Sequence, residues 1–100
     1  METVTKPEVG MGATTSYGVD SLPMTVIAVN ESGKTVHAQR DSTRPEDSTM
    51  NNRWIIERDP NGMIEVFTLR DNGRYILKGD SKRGRALSLG HRRMWYSYEF

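Results

Sequence analysis

Apolar residues come in short runs broken by turn signals at close intervals, a rhythm of strands rather than helices. After a polar start, Val9-Gly10-Met11-Gly12-Ala13-Thr14 predicts a short strand whose two glycines allow close backbone approach. Residues 15–23 read as a loop. Pro23 then opens Thr25-Val26-Ile27-Ala28-Val29, β-branched and apolar on both faces, which predicts a central strand. Asn30-Glu31-Ser32-Gly33-Lys34 is a hairpin turn in which Gly33 supplies a positive φ. In the return strand Thr35–Arg40, Val36 and Ala38 face the core while Thr35, His37 and Gln39 face out.

Residues 41–52 are polar, contain Pro45 and read as a mobile loop. A strand over 53–58 leads to a hairpin turn at Asp59-Pro60-Asn61-Gly62, where Pro60 pre-sets one dihedral. Residues 63–70 predict the longest strand, followed by the strongest hairpin signal in the chain, Asp71-Asn72-Gly73-Arg74. Tyr75-Ile76-Leu77 returns, 79–85 forms a basic loop, and 86–90 is a last short strand. Residues 91–98 fit a helical turn or an edge strand. The expected fold is mostly β: a small antiparallel barrel of five to seven short strands, SH3-like or partly open, with at most one short C-terminal helical turn. Closure is expected because long open edges invite aggregation. Val26, Ile27, Val29, Val36, Ile56, Val66, Phe67, Leu69, Leu77 and Leu87 are the expected core.

Composition narrows the class. One hundred residues fit one domain, with 1–8 as a flexible N-terminal arm. With 35% hydrophobic and 27% charged residues, the balance is globular rather than disordered. There is no cysteine, which removes disulfides, thiolate metal sites and thiol nucleophiles together and favours a reducing cytoplasm. The longest apolar run, Val26-Ile27-Ala28-Val29, is far short of the ~20 residues of a membrane span, so no membrane role is expected. The charged start of the chain does not read as a signal peptide. Net charge is +1, but residues 1–52 hold four Lys/Arg against seven Asp/Glu and residues 53–100 ten against six, so the basic character lies in the second half.

The stretch TVIAVNESGKTVHAQRD (residues 25–41), together with Val9-Gly10-Met11-Gly12-Ala13-Thr14, Asp59-Pro60-Asn61-Gly62 and the tail from Val66 on, resembles a family of small uncharacterised bacteriophage and mobile-element proteins. These motifs are turn and strand signatures, not catalytic ones. After Arg40-Asp41 the chain departs from the family, whose loop is longer there. The resemblance implies a phage-like origin and a host-cell cytoplasmic location, and transfers no site residues.

Enzymatic signatures are missing. His37 and His91 stand far apart with no metal-ligand spacing, and no Gly-x-Ser-x-Gly elbow, Walker loop or dinucleotide fingerprint occurs. Gly10-Met11-Gly12 lacks both a third glycine and a following helix. No catalytic residue, metal or cofactor is expected. Between Lys78 and Arg93, by contrast, six basic residues face one acid, Asp80. Lys78, Lys82, Arg83 and Arg85 surround two glycines, and Arg92 and Arg93 precede Trp95, Tyr96, Tyr98 and Phe100. Cations that hold a phosphate backbone beside aromatics that stack bases suit a nucleic-acid-binding barrel. The plainer alternative is a solvated loop with the terminal aromatics in the core, leaving Tyr96 and the cations as the surface. A domain without catalytic groups acts by occupying a surface, with sheet edges, Trp54 or Trp95 and arginines as the usual anchors. The expectation is therefore a phage-like accessory protein that binds a host or phage protein. An anti-CRISPR-like inhibitor of a host defence or regulatory protein is the form this suggests, and nucleic acid is the alternative partner. The candidate contact residues are Lys78, Lys82, Arg83, Arg85, Arg92, Arg93 and Tyr96.

Overall fold

The structure is a computed structural model that describes residues 6–17, 19–46, 53–81, 83–92 and 94. Its strands are β1 (Gly12–Tyr17), β2 (Asp20–Val29), β3 (Thr35–Arg40), β4 (Ser42–Pro45), β5 (Trp54–Glu57), β6 (Ile64–Leu69), β7 (Tyr75–Leu77) and β8 (Ala86–Leu89). Six of them close an antiparallel barrel in the order β1-β2-β3-β6-β7-β8, and β4 and β5 form a separate two-stranded ribbon. The small mostly-β barrel expected from the pattern is the fold. It consists of two three-stranded meanders, joined where β3 pairs with β6 and closed where Ala13 faces Leu89 across β1 and β8. The ribbon continues the β3–β6 pair beyond the barrel: β3 runs into β4 through Asp41, and β5 returns to β6 through residues 58–63.

Turn chemistry explains the two tight hairpins. Gly33 and Gly73 take φ of 74° and 80°, and Asn30 and Asn72 accept the backbone N–H of Thr35 and Arg74 at 3.1 and 3.0 Å. Gly62 differs from expectation. It does not sit in a hairpin, because β5 and β6 pair with other strands. Its requirement is space: a Cβ there would lie 2.1 Å from the Arg40 carbonyl oxygen.

Other expectations change too. Gly10 turns the chain at φ 94°, so β1 starts at Gly12 and runs through Thr14 and Thr15, whose branched side chains suit a strand. Residues 15–23 are accordingly mostly strand, not loop. β2, with 10 residues, is the longest strand, instead of 63–70. Pro23 is tolerated inside it because the β3 ladder begins beside it, at Met24↔Arg40. The segment 41–52 contains β4 rather than only a loop. Of residues 91–98, Trp95 onward lies outside the described residues, as does Arg93; the rest carries no regular structure.

The core follows the inward set. Ala13, Met24, Val26, Val36, Ala38 and Phe67 are fully buried and Leu87 nearly so, with Tyr75, Leu77, Leu89 and Val29 packed on them. Ile27, Val29, Ile56, Val66 and Leu77 are only half-buried and Leu69 is exposed, against expectation. A bulge between Val26 and Ala28 shifts β2 out of simple alternation, and Ile56 belongs to the ribbon.

Candidate functional site

Two-residue alternation carries the inward face of three strands to one end of the barrel. Arg40 follows Ala38 on β3, Glu65 precedes Phe67 on β6, and Arg85 enters β8. There Arg40 Nε donates to Glu65 Oε1 at 3.0 Å, and Arg85 Nη2 donates to Glu65 Oε2. Arg85 Nε also donates to Thr15 Oγ1 at 3.2 Å, and its guanidinium lies 5.8 Å from the centre of the Phe67 ring. The Glu65 carboxylate, 11% exposed, thus carries two arginines, the arrangement that makes a buried charge tolerable. Asp20, Leu22 and Met63 complete the hollow around this cluster. Met63, which lines this hollow, is 61% exposed, and Ile64 beside it in sequence and Val19 in the β1–β2 turn are 52% and 74% exposed.

A second cluster ties the chain after β8 to the outside of the barrel. Thr25 Oγ1 donates to Asp41 Oδ1 at 2.7 Å, and Arg92 Nε donates to Asp41 Oδ2 at 3.0 Å. Arg92 Nη2 reaches Thr25 Oγ1 at 2.9 Å. Arg92 lies against Gly12, where a Cβ would stand 2.9 Å from its Cγ, and Thr14 Oγ1 donates to the His91 carbonyl at 2.8 Å. The Asp41 side chain has no exposed surface.

These clusters divide the basic residues singled out in the sequence. Arg85 and Arg92 are ion-paired with Glu65 and Asp41 within the fold, and Arg92 keeps 35% of its side-chain surface exposed. Lys78 and Arg83 are exposed. Lys82, Arg93 and Tyr96 lie outside the described residues. The loop from Lys78 to Arg85 is organised around Asp80: its Oδ2 accepts the Arg85 N–H at 3.2 Å, and Gly84 packs so closely that a Cβ would meet Asp80 Cβ at 2.4 Å. Comparison with protein-family models, curated proteins and solved structures finds no match to this chain.

No group of three His, Asp or Glu residues converges among the described residues. His37 is half-buried on β3 opposite Val66, and His91 is exposed. Among the described residues no helix is long and apolar enough to cross a membrane. Sequence reasoning missed Arg40, Glu65 and Met63 altogether. Arg40 and Glu65 carried a usable signal, since both continue an inward alternation with a charged residue where an apolar one is the rule.

Proposed function

We propose that this protein is a non-enzymatic binding module that engages another protein through the open end of its barrel. The observation that carries the reading is one juxtaposition: Arg40, 29% accessible, lies in a hollow that it shares with Leu22 and the exposed Met63. Arginine surrounded by apolar side chains is the composition of interface hot spots, where the apolar rim excludes water and strengthens the charged contact. The partner chemistry that fits is a protein surface offering a carboxylate to Arg40 and apolar side chains to Met63 and Ile64. A phage-like accessory protein that blocks a host defence or regulatory protein in the cytoplasm is the biological form of this reading. Internal pairing of Arg85 and Arg92 leaves fewer cations for a nucleic-acid backbone, which disfavours the alternative.

The test is affinity capture from a bacterial lysate with and without nuclease, using wild type, Met63→Asp and Lys78→Ala/Arg83→Ala. Capture that survives nuclease and raised salt, and is lost in Met63→Asp, supports the proposal. Capture abolished by nuclease overturns it. In that event Lys78→Ala/Arg83→Ala would flatten the slope of log affinity against log salt by roughly two, about one unit per phosphate contact.

A further inference from the structure

The seam between β7 and β8 is the shortest in the barrel, with only the pairs Tyr75↔Leu87 and Ile76↔Ala86. Continued toward the hairpin, the same register would set Arg74 opposite Ser88 and Gly73 opposite Leu89. Neither pair forms. The chain before β7 curls into its hairpin with β6 at Gly73, φ 80°, while β8 runs on to Leu89 beside Ala13 of β1. The two strands part, and a hollow of about 390 Å³ opens between them.

The backbone lining this hollow is incomplete. Alternate residues of an antiparallel strand aim their N–H and C=O groups at alternate neighbours. Gly90 N–H donates to the Gly12 carbonyl at 2.8 Å, so Gly90 and, two residues before it, Ser88 face β1. Leu77 N–H donates to the Arg85 carbonyl at 2.8 Å, so Arg85, Leu87 and Leu89 face β7. Beyond Leu87 that neighbour has gone, and the N–H and C=O of Leu89 meet no partner among the described residues. Unpaired strand edge of this kind is a template for an added chain.

The side chains state what that chain should carry. Leu69, Tyr75, Leu87 and Leu89, on the inward faces of their strands, line the depth of the hollow, and Arg74 and Ser88, on the outward faces, line its mouth. Arg74 is exposed, and among the described residues its guanidinium has no ion pair or hydrogen bond. No Asp or Glu lines the hollow, whereas Glu65 holds the arginine at the other end of the barrel. We propose that the β7–β8 gap takes an extended segment of a partner protein, whose backbone pairs with Leu89 and whose Asp or Glu meets Arg74. Successive residues of an added strand face opposite ways, so a large apolar side chain next to that acid enters the hollow between Tyr75 and Leu89. The gap lies at the barrel end remote from Arg40, so this surface is independent of the one proposed above.

The probe is a displayed library of random heptapeptides, selected against the folded domain at low salt. Enriched sequences should place a large apolar residue next to Asp or Glu. The best of them, made as a free amidated peptide, should bind Arg74→Glu about tenfold more weakly or worse. Arg44→Glu, the same charge reversal on the ribbon, should leave its affinity unchanged. No enrichment, enrichment without the acid, undiminished binding to Arg74→Glu, or equal weakening by Arg44→Glu overturns the proposal. Amide exchange reads the backbone directly. In the free domain Leu89 N–H should exchange much faster than those of Ser88 and Gly90, and the peptide should slow it. A Leu89 amide already protected in the free domain, or one that the peptide leaves unchanged, contradicts the added strand.

Discussion

Tyr75 stands half-buried at the barrel end remote from Arg40, and its hydroxyl donates to the Gly33 carbonyl at 2.5 Å. One side chain thereby clips the β6–β7–β8 half to the β2–β3 turn. Burial pushes its pKa above the ordinary value of 10.0, because loss of water disfavours the phenolate. A folded pKa above the unfolded one means that the unfolded chain gives up its proton first as pH rises. The associated stability is therefore complete below about pH 10 and declines as pH passes through the raised value. Urea titrations between about pH 8 and about pH 11 should show this decline in wild type and a smaller one in Tyr75→Phe. Tyr75→Phe should also be about 1 kcal/mol less stable at the lower pH through loss of the hydrogen bond. Identical pH profiles for the two proteins would refute this role for Tyr75.

Among the connecting elements, the turns that look alike in sequence act by different physics. Gly73 lies in a hairpin at φ 80° with open space around it, so Gly73→Ala meets only backbone strain, about 1 kcal/mol. Gly62 joins the ribbon to the barrel, and a methyl there would strike the Arg40 carbonyl oxygen at 2.1 Å. Backbone cannot swing aside as a side chain does, so Gly62→Ala should cost about 3 kcal/mol or more. The same turn is held from β3, where Gln39 Nε2 donates to the Pro60 and Gly62 carbonyls, each at 3.0 Å. Melting midpoints of the two variants should differ clearly, with Gly62→Ala the lower; the reverse order would show that the close approach carries no weight.

For the whole molecule, closure of the sheet decides cooperativity. Every barrel strand has two hydrogen-bonded neighbours, and Phe67 is fully buried among strands of both meanders. Phe67→Ala should cost about 3–5 kcal/mol, a large part of the 5–15 kcal/mol typical of a domain. Loss should appear as one transition, coincident in far- and near-ultraviolet dichroism, because no meander retains a core of its own. An unchanged midpoint would mean that Phe67 is not central. Two of the cations read from the sequence as surface also act at this scale. Arg85 bridges β8 to β6 and Arg92 ties the segment after β8 to β2 and Asp41, so replacing Arg85 is a change to the fold rather than to a flexible loop.

The sequence by itself determined what depends on neighbours along the chain. Glycine chemistry marked the hairpins at Gly33 and Gly73, and alternation in Thr35–Arg40 assigned Val36 and Ala38 to the core. The same alternation set Gln39 facing out, whereas the turn at Pro60–Gly62 covers it and leaves it 6% exposed. Period two specifies a face, not what lies on it. Only tertiary structure decided that β8 closes on β1, that residues 42–45 pair with β5, and that Glu65 holds Arg40 and Arg85. The closure and the Glu65 pairs join residues 20 to more than 70 positions apart, as Thr14 and His91 do across 77, and even the β4–β5 partners stand 9 to 15 apart. A charged side chain reads the same in sequence whether water or a distant carboxylate receives it. Only the fold shows which carboxylate each arginine meets: Glu65 holds Arg40 and Arg85, and Asp41 holds Arg92.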